Sequence, residues 1–150
     1  MPRRVVHYQF DVTGVDTDRV VGQYSGMSSN YFYLDETLIH NALANIGKQM
    51  KLVTVASGDV FVTKNDDKHR LAKEFGADIC EMELAGIAIA CERNNVPLFS
   101  VKVVSDKADE GANVSFLSIV EKGVAGYEKI LPEILKAIKD GATALPPIKN

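Results

Sequence analysis

The chain has 150 residues, 46% of them hydrophobic and 25% charged, which fits one globular domain over residues 1–150 with a core of its own. A net charge of −3 argues against a nucleic-acid partner, which needs a basic face, and no apolar run nears the ~20 residues of a membrane span. The opening MPRRVVHYQF lacks the apolar core of a signal peptide, so the cytoplasm is the expected compartment.

In chain order, residues 4–10 alternate and predict a strand, and residues 19–24 (RVVGQY) predict a second short strand interrupted by Gly22. A helix is expected from Asp35, with Leu38, Ile39, Ala42, Leu43 and Ile46 on one face. Residues 51–56 (KLVTVA) predict a strand, broken by the turn Ser57-Gly58-Asp59. Residues 65–75 predict a helix closed by Gly76, and residues 77–80 a short apolar strand. Residues 83–93 predict a helix burying Leu84, Ile87, Ala88 and Cys91, stopped by Asn94-Asn95 and Pro97.

The segment LFSVKVV, residues 98–104, carries the strongest strand signal, apolar and β-branched as in a sheet covered on both faces. Its one charge, Lys102, needs a carboxylate partner there, and Glu81 is the candidate. Residues 115–140 predict a long helix that Pro132 kinks or divides, with Phe116, Ile119, Val120, Val124, Tyr127, Ile130, Leu131, Ile134, Leu135 and Ile138 repeating at three and four. The series is an α/β pattern: a mixed, partly parallel central sheet flanked by helices.

Few motifs announce chemistry by spacing. Cys80 and Cys91 read as buried reduced thiols, and His7, His40 and His69 are scattered, so neither a metal site nor a cofactor is expected. No glycine-rich dinucleotide or nucleotide-triphosphate loop and no GxSxG elbow is present. Acids do cluster at two element ends, Glu81 and Glu83 before a helix and Asp106 and Asp109 after the best strand, as a polar site with apolar walls would have them.

Four segments then carry a family resemblance. SGDVFV (residues 57–62), EMELAGIA (81–88), NVPLFSVKVVSDKAD (95–109) and Ser115-Phe116 resemble, in order and spacing, the purine nucleoside phosphorylase/uridine phosphorylase superfamily. Within it they are most similar to the 5′-methylthioadenosine/S-adenosylhomocysteine nucleosidases. The resemblance implies the C-terminal part of a nucleoside phosphorylase-like fold. The implied reaction is hydrolysis of the N-glycosidic bond of an adenine nucleoside, giving adenine and a 5-thioribose, as in methionine salvage.

By the same resemblance Asp106 is the acid that protonates the leaving adenine at N7, a task that suits a carboxyl group whose burial favours its neutral form. Ser105 orients it. Glu83 is implied to grip the ribose hydroxyls, with Met82 packed beneath the sugar. Phe61 is implied to stack on adenine, the backbone of Val62 to read the adenine edge, and Phe116 to line the 5′-alkylthio pocket. The partners implied are a small-molecule adenine nucleoside and a second copy in a homodimer, with neither nucleic acid nor membrane.

Two departures qualify the resemblance. The family's N-terminal strand, its adjacent general-base glutamate and its glycine-rich turn have no counterpart before Arg4, which predicts an open sheet edge. The segment 11–17 (DVTGVDT) has Val15 and Thr17 where the family carries aromatics at the dimer contact. A truncated form that binds nucleoside without cleaving it, or pairs with another chain, is therefore the alternative. Phosphate-dependent cleavage ranks below it, because no phosphate-binding arginine cluster is visible.

Overall fold

The computed structural model describes residues 1–46, 50–109, 123–128, 130–136 and 138–139. The elements in order are β1 (Pro2–His7), β2 (Tyr31–Tyr33), α1 (Glu36–Ile46), β3 (Val53–Ser57), α2 (Asn65–Phe75), β4 (Ile79–Glu81) and α3 (Leu84–Arg93). Residues 123–128, 130–136 and 138–139 are also helical. The strands form one sheet in the order β2-β1-β3-β4. β1 runs antiparallel to β2 and parallel to β3, and β3 runs parallel to β4, so the sheet is mixed and mostly parallel.

Alternation along β1 and β3 sets the layers, because successive side chains on a strand point to opposite faces. Val5 sits opposite Val55, and both pack against Ile39 and Ala42 of α1 and Leu84, Ala85 and Ala88 of α3. Val6 sits opposite Ala56, and both pack with Leu71 and Phe75 of α2. Helices thus cover both faces, as a parallel sheet with near-continuous apolar strands requires.

Local chemistry explains the helix ends. Asp35 Oδ1 accepts the Leu38 amide at 2.8 Å and so caps the start of α1. Gly76 ends α2 in the left-handed conformation, with φ of 56°, and its amide donates to the Leu71 carbonyl.

Several expected elements differ. β1 stops at His7, because Phe10 turns away to stack on Tyr24 with ring centroids 3.8 Å apart. Residues 19–24 are turn and loop rather than strand. Gly22 bends there with φ of 87° and donates its amide to the Phe10 carbonyl at 2.7 Å. The strand that pairs with β1 is instead Tyr31–Tyr33, which its three-residue length hides in the sequence. In α3, Leu84, Ala85 and Ala88 are buried, whereas Ile87 is 48% exposed. Both cysteines are free, but they are half-buried rather than buried.

The largest difference concerns residues 98–104, which form no strand. Their backbone is engaged by side chains and loops instead of a ladder. Leu98 O accepts the Asp35 amide, and Tyr127 Oη bonds the Val101 carbonyl and the Val103 amide. Val104 is 61% exposed. On the helical residues 123–128, 130–136 and 138–139, Ile134 is buried, while Val124, Tyr127, Leu131, Leu135 and Ile138 are exposed. The rest of the expected 115–140 helix, and residues 141–150, lie outside the described residues.

Gly22 offers a test of this packing. A Cβ there would lie 2.6 Å from Cγ2 of the fully buried Val6, at a φ that side-chain-bearing residues rarely adopt. Gly22→Ala is expected to lower stability by about 1–3 kcal/mol, read from the midpoint of urea unfolding.

Candidate active site

Beyond the carboxyl ends of the parallel strands β3 and β4 lies a cavity of about 1030 Å³. That end of a parallel sheet is where ligands bind in open α/β folds. Phe61 and Val62, from the loop after β3, line one part of it. Met82 and Glu83, between β4 and α3, line a second, and Ser105 and Asp106 a third. Six of the seven residues singled out from the sequence thus face one hollow; the seventh, Phe116, lies outside the described residues.

Asp106 is held by its own loop. Ser105 Oγ donates to Asp106 Oδ2 at 2.6 Å, and the Ala108 amide donates to Oδ1 at 2.7 Å. The turn that brings this amide round puts Ala108 at a positive φ of 49°. The carboxyl group is therefore fixed in orientation, half-buried at the cavity wall. Val62 is buried among the apolar residues behind α2, so its backbone rather than its side chain is what the loop can present. Phe61, by contrast, stands 42% exposed on the cavity side.

The two glutamates divide the work. Glu81 ends β4 with a side chain only 12% exposed. Its carboxylate accepts the Leu84 amide at 2.9 and 3.0 Å, and so caps the first turn of α3, where the helix dipole favours negative charge. Lys102 Nζ lies 2.7 Å from it, the partner expected from the sequence. Ser57, 1% exposed at the end of β3, bonds to Glu81 and accepts the Ala85 amide at 3.0 Å. Glu83 lies on the cavity wall with its side chain 65% exposed, and its Oε2 is 3.5 Å from the same Lys102 Nζ.

The electrostatics follow. Burial pushes the Glu81 carboxyl up, but hydrogen bonds from Lys102 and Ser57 and the lysine charge outweigh it and hold the group below the usual carboxylate range. Burial pulls Lys102 down, and its bond to and attraction by Glu81, with Glu83 added, carry it above its ordinary value. Cys80 also lines the cavity, with its thiol raised first by burial and then by the Asp106 charge, which keeps it neutral and a poor nucleophile. Among the described residues, no group of three or more His, Cys, Asp or Glu side chains is placed to hold a metal ion. No described helix is long and apolar enough to cross a membrane.

Sequence reasoning passed over Ser57 as a turn residue and left Lys102 unconnected to Glu83. The available signal was Glu81 itself, an acid placed just before the first turn of a helix.

Fold and cavity together define an α/β protein with a large cavity at the carboxyl end of its parallel strands. The chain belongs to the phosphorylase superfamily, whose family model matches residues 1–138. It is 37% identical to the aminodeoxyfutalosine nucleosidase of Helicobacter pylori over 63% of this chain and 43% of that one. It is 32% identical to the 5′-methylthioadenosine/S-adenosylhomocysteine nucleosidase of Buchnera aphidicola over 90% of this chain and 60% of that one. Among solved structures it resembles the nucleosidase of the latter name from Helicobacter pylori, with a TM-score of 0.81 and 29% identity, covering 90% of this chain and 58% of that one. The chain thus spans at most about 60% of the length of these relatives.

Proposed function

We propose that the chain carries the adenine and ribose contacts of a nucleosidase that hydrolyses the N-glycosidic bond of adenine nucleosides such as 5′-methylthioadenosine and S-adenosylhomocysteine. The observation that carries this reading is the convergence of Phe61, Glu83 and Asp106 on one cavity, in a chain similar to named nucleosidases over most of its length. An adenine ring stacked on Phe61 would present its edge to the Val62 backbone. Asp106 would act as the acid that delivers a proton to N7 as the C1′–N9 bond breaks, so that the bonding electrons leave with a neutral adenine. Glu83 would accept hydrogen bonds from the two ribose hydroxyls, and its charge favours the cation developing at C1′, which water then captures as it releases a proton to the solvent. Met82 and Phe116 complete the reading, beneath the sugar and along the 5′ substituent. The names of the relatives divide over that substituent, and Val15 and Thr17 leave it open on this chain.

The test is release of adenine from methylthioadenosine, S-adenosylhomocysteine and aminodeoxyfutalosine, followed by chromatography. Adenine from any of them supports hydrolysis and ranks the 5′ substituents. Tight binding without release assigns this chain the binding role alone, and release that requires phosphate makes it a phosphorylase. The same reading places the protein in methionine salvage, in the cytoplasm and as a homodimer. Exposed Val104, Leu131 and Leu135 favour burial against a partner. Sedimentation is expected to show twice the 16.4 kDa chain mass, and a monomer at micromolar concentration would remove the dimer.

A further inference from the structure

Lys102 lies between two carboxylates of unequal burial. Glu81 is enclosed, tied to Lys102 at 2.7 Å, to the Leu84 amide and to Ser57. Glu83 is exposed and has the same ammonium group 3.5 Å from its Oε2. An exposed glutamate with free rotamers would spread its carboxylate over many positions, and confining it when ligand arrives would cost side-chain entropy. A lysine whose own position is fixed by a half-buried pair removes much of that freedom beforehand, because it attracts Glu83 from a defined point. The pair also secures the start of α3, from which the Glu83 backbone hangs. The Glu83 amide itself donates to Glu81 Oε2 at 3.2 Å, so backbone and side chain of Glu83 are both referred to the same anchor.

We infer that Lys102 is a positioning residue: anchored by Glu81, it holds the Glu83 carboxylate towards the cavity in the orientation that receives a vicinal diol. This rests on the nucleoside reading above and adds to it a residue that would touch no part of the adenine ring. The lysine acts on the sugar half of a ligand only, so its effect must separate nucleoside from free base.

The experiment is calorimetric titration of the full chain with adenine and with methylthioadenosine, for the wild type, Lys102→Met and Lys102→Arg. The wild type is expected to bind the nucleoside more tightly than the base. Lys102→Met is expected to reduce nucleoside affinity by about tenfold while adenine affinity stays within about twofold, since one charge-assisted contact is at stake. Lys102→Arg, which keeps a cation between the two glutamates, should recover most of the difference. Equal loss for base and nucleoside in Lys102→Met, as general damage to the fold produces, overturns the inference, and so does a Lys102→Met chain that binds like the wild type. A wild-type chain that does not prefer nucleoside to base overturns the nucleoside reading itself, and the inference with it.

Discussion

Asp106→Asn is expected to reduce adenine release by about 10²–10⁴-fold while leaving the fold within about 1 kcal/mol of the wild type. The two halves of this expectation have separate causes. An amide has no proton to give to a departing purine nitrogen at neutral pH, so the acid contribution is lost. Yet asparagine can keep both local bonds: its Oδ1 accepts the Ala108 amide, and the Ser105 hydroxyl rotates to accept from Nδ2. Release kinetics and a thermal melt on the same preparation decide the matter. Loss of activity in step with loss of folded protein would make Asp106 a structural turn residue and nothing more.

Glu81→Ala is expected to be the most destabilising change in the site, by about 2–4 kcal/mol. It removes the cap of α3 and leaves the half-buried Lys102 without its nearer partner. Glu81→Gln should cost less, because a carbonyl oxygen can still accept the Leu84 amide. The pH dependence distinguishes the ionic part. The Glu81 carboxyl is held below its ordinary 4.5, so its contribution is present above that value and is lost as pH falls through the lower folded value. Lys102 is held above its ordinary 10.5, so its contribution is present below that value and is lost as pH rises through the higher folded value. The stability gap between wild type and Glu81→Gln should therefore be flat from about pH 5 to 10 and narrow on either side. Urea unfolding across that range measures it, and a gap that does not change with pH would mean that the pair contributes through shape rather than charge.

Helices were the legible part of this chain. α2 runs over the expected residues because an apolar stripe, Leu71 and Phe75, ends at a glycine that can turn left-handed. α1 and α3 were legible for similar reasons, apart from Ile87, whose side of the helix faces solvent. Strands were less so, because a strand is defined by its neighbour. Residues 98–104 have all the composition of a central strand and none of the ladder. Tyr31–Tyr33 has β-prone aromatic residues but only three of them, and is paired along its whole length. The candidate site divides in the same way. Lys102 and Glu81 could be matched from the cost of burying a lone charge. Glu83 and Asp106 could be grouped as acids at the ends of two elements, whereas Phe61 carries no such mark. Only the resemblance gathered all three, and it is the turns after β3 and β4 together with the turn at residues 105–108 that bring them round one hollow.

The position of β1 between β2 and β3 has a bearing on how the molecule assembles. Its pairing with β3 joins residues about fifty positions apart, Arg4 with Thr54 and Val6 with Ala56. A long loop must close before the first of those ladder bonds can form, so the search is entropically slow compared with that of a helical bundle. Until it succeeds, Val5, Val6 and Val55 remain open to wrong neighbours, which makes dilute, cool conditions the favourable ones for recovering this protein from the denatured state.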